Sequence, residues 1–256
     1  MPPAVLTMRV FKLTLAYDGT NYSGWQMQPR QVTLQETLER ALAKITGEAL
    51  RVTASGRTAA GVHALGQVVS LRSETHLAPE VLHRALNAEL PHDMAVLAVE
   101  VADDDFHATG RAVRKRYEYR LDDGPLRDVF ARHYSWHCHG WLDAAAIHRA
   151  AQPLAGTHDF SSFETSGSPR TSSVRTVFEL SVTRGQGGEN NRLTLAIEAD
   201  GFLYNMVRTI VGTLVEVGRG TEDEAWPARV LAACDRRMAG QTAPPQGLFL
   251  VRVDYD

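Results

Sequence analysis

Polar and apolar residues alternate in part from Val10 to Tyr17, through Phe11, Lys12, Leu13, Thr14 and Leu15, and the run stops at Asp18-Gly19. That pattern predicts a strand entering a turn. Leu34, Leu38, Leu42 and Ile45 then recur at helical spacing behind a Thr33/Glu36 capping pair and end at Gly47, which predicts a helix. Strand-like segments at 51–54 and 66–71 flank a glycine-bearing loop. Pro79 opens a second helix through Leu82, Leu86 and Leu90, and Met94 to Val101 reads as another strand. The resulting order, β-α-β-β-α-β, is that of the ferredoxin-like fold.

The second half has a similar order. A strand around Arg116 to Leu121 precedes a helix from about Asp143 to Leu154, and strands at 174–183 and 193–199 flank a Gly-rich turn. From Phe202 to Val217, Leu203, Met206, Val207, Ile210, Val211 and Leu214 share one helical face up to Gly218. A helix at 226–236 and a closing strand at 248–255 complete the chain. The expectation is an α+β protein of two ferredoxin-like, RRM-like subdomains, residues 1–112 and 113–256. Their antiparallel sheets would join across a central cleft, with the helices packed on one side. No residue-level repeat accompanies the repeated order.

The 256 residues, 44% of them hydrophobic, suffice for one large core or two modest ones. A net charge of -3 argues weakly against nucleic acid, because binding needs only one basic face. Cys138 and Cys234 are too few and too far apart for a disulfide framework. The opening MPPAVLTMRV has no leader-like apolar run. The longest apolar stretch, 202–217, is interrupted by Asn205, Arg208 and Glu216 and is too short for a bilayer, so a cytoplasmic protein is expected.

Candidate chemistry begins in the loop Ala54-Ser55-Gly56-Arg57-Thr58-Ala59-Ala60-Gly61-Val62-His63-Ala64. Gly56 and Gly61 permit close backbone approach, and Arg57 offers a planar fork of donors; a tight turn with a surface arginine fits equally. Arg111, Arg114, Lys115, Arg116 and Arg120 face one local acid, Glu118, with Tyr117 and Tyr119 interleaved. Such a run suits phosphate contact and base stacking, while a solvated edge strand is the alternative. Arg208, on an apolar helix, implies either a salt bridge or a cleft. His133, His137, Cys138 and His139 alternate as on a strand and cannot converge on one metal ion. His158-Asp159 suits a turn-stabilising or substrate-orienting role better than a catalytic pair. No phosphate-binding P-loop or dinucleotide fingerprint is present.

Taken in order, several blocks resemble the tRNA pseudouridine synthase A family. They are Tyr17-Asp18-Gly19-Thr20 with Gly24-Trp25-Gln26, Gly56-Arg57-Thr58, Ala60-Gly61-Val62-His63-Ala64, Phe106-His107-Ala108, Arg116-Tyr117-Glu118-Tyr119, His158-Asp159-Phe160, Asn205 to Gly212 and Gly247-Leu248. The family's loop carries its essential aspartate where this chain has Ala59. The resemblance implies isomerisation of uridine to pseudouridine in the anticodon stem-loop of tRNA: the C1′–N1 bond breaks and C5 joins C1′, with no metal or cofactor. A carboxylate must act there as nucleophile or base, and alanine can do neither.

By position, Tyr117 would pack on the target base, Arg57 would hold the extruded nucleotide, and Arg208 would pair with the missing acid. Leu248 would wall the pocket. Thr58, Gly61, His63, Arg111, Arg114, Lys115, Arg116, Phe202 and Asn205 are the further substrate-binding positions. The implied partners are tRNA, through its anticodon arm, and a second copy of the chain, with no membrane. The expected form binds tRNA but is catalytically inactive, with a loss on the order of 10⁴ to 10⁶ in rate. A natural tRNA-binding or chaperone protein is the alternative reading.

Overall fold

The computed structural model describes residues 8–165 and 172–256, so residues 1–7 of the stretch read above for a leader lie outside it. Ten strands and five α-helices are present among the described residues, and strand pairing is mostly antiparallel. The chain forms two compact units: residues up to Ala112 together with Leu250–Asp256, and Val113–Phe249.

In the first unit β1 (Arg9–Tyr17) is followed by α1 (Leu34–Thr46), β2 (Thr53–Ala54), β3 (His63–Ser73), α2 (Pro79–Glu89) and β4 (Met94–Ala102). β1 pairs with β3 on one side and β4 on the other, both antiparallel, and β2 adds to β3. The alternation at the start of the chain has its physical counterpart here, since Phe11, Leu13 and Leu15 are fully buried. So are Leu34, Leu38 and Leu42 of α1 and Leu82 and Leu86 of α2. The Thr33 side chain accepts from the Glu36 amide, and Gly47 closes α1 at φ 76° in the left-handed region. β2 is shorter than the 51–54 segment expected, while β3 starts earlier than 66 and takes in His63.

The second unit contains β5 (Ala112–Asp122), β6 (Trp136–His137), α3 (Ala144–Ala151), β7 (Gly156–Asp159), β8 (Val174–Arg184), β9 (Arg192–Ala199), α4 (Met206–Gly218) and α5 (Trp226–Ala233). Its strands run β5-β9-β8-β7, all antiparallel, with β6 parallel to the end of β5. Tyr117 faces Ile197, Tyr119 faces Leu195 and Leu121 faces Leu193, so these six side chains line one buried sheet face. β10 (Leu248–Tyr255) begins in this unit, and its residues from Leu250 onward belong to the first. There they lie against β3, where any side chain at Gly66 would strike the Val251 carbonyl.

The sequence places Phe202 and Leu203 on a helix, and the structure corrects this. Asn205 adopts φ 61°, a left-handed conformation that a right-handed helix cannot contain, so α4 starts at Met206. Likewise α5 ends at Ala233 because Cys234 turns left-handed at φ 48°. Within α4, Ile210, Val211 and Leu214 are fully buried, and Gly212 sits against the backbone of Gln241, leaving no room for a β-carbon. Gly212→Ala should therefore destabilise the protein by about 1–3 kcal/mol or more, since the obstacle is main chain rather than a movable side chain. Urea unfolding measures this, and an unchanged midpoint would show that α4 does not need the approach.

Candidate active site

The loop from Ser55 to Val62 is held almost entirely through its backbone and its inward-facing hydroxyls. Trp25 donates its amide to the Thr58 carbonyl at 3.0 Å, and Val62 donates to the Ala59 carbonyl at 3.1 Å. Gly24, at φ 89°, lies so close beneath that a β-carbon there would stand 2.9 Å from the Thr58 oxygen and 3.1 Å from the Ala60 nitrogen. Gly19 meets the backbone of Val62 in the same way. These two glycines explain the Tyr17-Asp18-Gly19-Thr20 and Gly24-Trp25 blocks: they let one segment of main chain lie directly on another.

Side chains complete the hold. Gln67 of β3 is fully buried and uses both ends of its amide. It accepts from the Ser55 hydroxyl at 2.7 Å and from the Val68 amide at 3.1 Å, and donates to the Gly56 carbonyl at 2.9 Å and to the Tyr17 hydroxyl at 3.3 Å. Because that amide nitrogen can only donate, the Tyr17 oxygen accepts from it, which leaves the Tyr17 proton for the Thr58 hydroxyl 2.8 Å away. Burial pushes the Tyr17 phenol up to about 12, opposed by its bonds to Thr58 and Gln67, so it stays neutral over the working pH range. His63, 1% exposed, places Nδ1 at 3.1 Å from both the Gly19 amide and the Asp18 carboxylate. One nitrogen cannot accept from the first and donate to the second at once, so the ring's tautomer selects between them.

What remains for solvent is informative. Arg57 is exposed and makes no hydrogen bond or ion pair with any described residue, and Ala59 is half-buried, presenting only a methyl group. Gly61 takes φ 75°, as the loop's turn requires. Thr58 and His63 are thus engaged inward, and of the loop's functional candidates Arg57 faces outward.

In the second unit Tyr117 is 8% exposed and meets Phe202 edge to face, with ring centroids 5.0 Å apart. Alternation along β5 separates the basic run that the sequence shows as one cluster. Arg114, Arg116, Glu118 and Arg120 share one face, while Lys115, Tyr117 and Tyr119 share the other. The arginines also have acids that local sequence does not reveal. Arg114 pairs with Glu198 at 3.2 Å, Arg116 with Glu179 at 3.0 Å, and Arg111, in the first unit, with Asp105 at 3.1 Å. Arg114 additionally stacks on Phe178 and Arg120 on Phe249.

Arg208 resolves differently from a salt bridge. Its Nε donates to the Ala243 carbonyl at 2.7 Å and its Nη1 to Asn205 Oδ1 at 2.9 Å, and among the described residues no carboxylate pairs with it. Burial lowers its pKa from the usual arginine value, against the nearby Tyr119 and Tyr204 phenols. The left-handed turn at Asn205 serves this arrangement, aiming Oδ1 at Arg208 and Nδ2 at the Thr165 hydroxyl 3.3 Å away. Leu248 is buried, and next to it Gly247 leaves space for the Tyr119 ring.

His158 bonds the Ala155 carbonyl, and Asp159 accepts from the Ser161 amide, which are turn-forming contacts. His137 and His139 stack edge to face, and no group of three or more His, Cys, Asp or Glu is placed to hold a metal ion among the described residues. Nor is any helix among them long and apolar enough to cross a membrane. Sequence reasoning gave Ser55 no role and passed over Gln67, whose polar side chain among the apolar residues of β3 was the available signal.

A family described as tRNA pseudouridine synthase matches residues 14–109 and 150–256. Over 250 residues the chain is 44% identical to the tRNA pseudouridine synthase A of Thermoanaerobacter sp. (strain X514), covering 97% of this chain and 100% of that one. It is 49% identical over 252 residues to that of Moorella thermoacetica, again at 97% and 100% coverage. The protein of the same name from Brevibacillus brevis is 44% identical over 248 residues, at 97% and 100%. Matched by that family over most of its length and by these relatives nearly end to end, the chain belongs to the tRNA pseudouridine synthase family.

Proposed function

We propose that this chain recognises the anticodon arm of tRNA as a uridine-to-pseudouridine isomerase does, and that Ala59 leaves it binding-competent and nearly without turnover. The observation that carries the reading is the loop itself. All of its supports are in place and Arg57 is presented without a partner among the described residues, yet the position two residues on bears a methyl group, with no lone pair to attack C1′ and no base to take a proton. The two acids the sequence offers as substitutes are each engaged in a local turn: Asp18 accepts from the Thr20 amide and hydroxyl, and Asp159 from the Ser161 amide.

In this reading Arg57 steadies the extruded nucleotide, Tyr117 and Phe202 offer ring surface to the uracil, and Leu248 bounds the base. Arg208 is the cation that an aspartate at position 59 would answer. What supports this reading is that among the described residues no carboxylate pairs with Arg208, whose partly buried guanidinium is bonded to neutral acceptors. Thr58, Gly61 and His63 shape the loop, and Arg111, Arg114, Lys115 and Arg116 bias the surface toward phosphate, tempered by their acids. The two ferredoxin-like subdomains, cytoplasmic location and homodimer of the family reading are retained. For the homodimer, Leu126, Val129 and Phe130 are 84%, 55% and 86% exposed within five residues, an apolar surface suited to burial by a second copy.

A single-turnover assay on unmodified tRNA tests the reading. Ala59→Asp should form pseudouridine at least about 10⁴-fold faster than the chain as it stands, with tRNA affinity by filter binding no tighter. Appreciable product from the Ala59 chain would overturn it. Adding Arg208→Met to Ala59→Asp should move the acid limb of the pH–rate profile to higher pH. An opposite charge lowers a carboxylate's pKa, so activity present above that pKa is lost sooner as pH falls once the arginine is gone. Phe130→Asp should convert the sedimenting species from dimer to monomer, and an unchanged sedimentation coefficient would place the interface elsewhere.

A further inference from the structure

We propose that Gln67 is the positioning residue for position 59, fixing the loop's backbone before RNA arrives. This rests on the reading of residue 59 as the reacting position. Beside the backbone bonds of the Ser55 amide to Val68 and of Trp25 to the Thr58 carbonyl, the loop is bound at the Ser55 hydroxyl, the Gly56 carbonyl and the Thr58 hydroxyl, and these three bonds run to Gln67 directly or through Tyr17. A buried primary amide has two donor and two acceptor positions, and here all four are satisfied, so its orientation is determined without ambiguity. The Tyr17 ring packs against Trp25, centroids 6.1 Å apart, and the Trp25 amide holds the Thr58 carbonyl from the other side. Residue 59 therefore follows directly on a backbone clamped from two directions. None of these groups faces outward to touch a substrate, since Ser55 and Gln67 are fully buried and Tyr17 is 4% exposed. Their contribution is geometric, and misplacing a reacting group by about 1 Å can cost on the order of 10²-fold in rate.

The test uses Gln67→Met, which keeps the bulk and removes every hydrogen bond. Amide hydrogen exchange on the chain as it stands should quicken at least about tenfold at Trp25 and Val62, the amides that hold the loop, while β4 exchanges as before. In the Ala59→Asp background, kcat should fall on the order of 10²-fold with KM within about threefold. Tyr17→Phe should act in the same direction more weakly, and its effect combined with Gln67→Met should be less than the product of the two, because both act through one network. If Gln67→Met fails to fold, Tyr17→Phe carries both measurements. Exchange that rises equally in β4 and the loop, or a loss borne by KM alone, would overturn the proposal. Should Ala59→Asp itself be inactive, the functional reading fails and the exchange measurement still decides the positioning claim.

Discussion

The architecture of the first unit turns on one constraint: a loop that turns Arg57 to its outer side has to be restrained from its inner side. Main chain lying on main chain at Gly19 and Gly24 supplies part of that restraint, and backbone bonds from Trp25 and Val62 together with the Gln67 amide add to it. Both devices are costly to leave incomplete. A buried amide with one unmade bond loses about 1–3 kcal/mol, and a side chain at either glycine would displace backbone rather than another side chain. The strand pairing of β1 with β3 brings Tyr17 and Gln67 within reach of each other, and in that sense the sheet exists to build the support.

In the second unit the corresponding restraint is electrostatic. Arg208 is partly buried, with neutral oxygens for partners, a state tolerable because a guanidinium is weakly hydrated and stays charged even when burial lowers its pKa. The left-handed Asn205 places a side-chain oxygen where an ordinary helical start would not. A local backbone strain of about 1–3 kcal/mol is thus spent on orienting a cation.

Apart from the short strands β6 and β7, element order and most boundaries were legible because the local signals agreed with one another: the Thr33/Glu36 cap, Gly47, Pro79 and the alternation in β1 all marked what they were expected to mark. The start of α4 was not, because apolar periodicity runs unbroken through Phe202 and Leu203 and an asparagine's choice of the left-handed region is made by its tertiary contacts. The basic run in β5 misled for a related reason. Local charge counting sees Glu118 alone, whereas Glu198 and Glu179 arrive from β9 and β8 through antiparallel register. For the candidate site, the ordered motifs pointed to Arg57, Tyr117 and Arg208, while the inward supports of the loop were recognisable only once strands separated in sequence lay side by side.

The return of Leu250–Asp256 to the first unit has a bearing on biogenesis. On the ribosome the whole of Val113–Phe249 is synthesised before these residues exist, so the β3 edge beside Gly66 waits uncovered while the intervening unit is made. An open strand edge of that kind invites wrong pairings, which makes the codons for Leu250–Asp256 a gate on the maturation of the unit they complete.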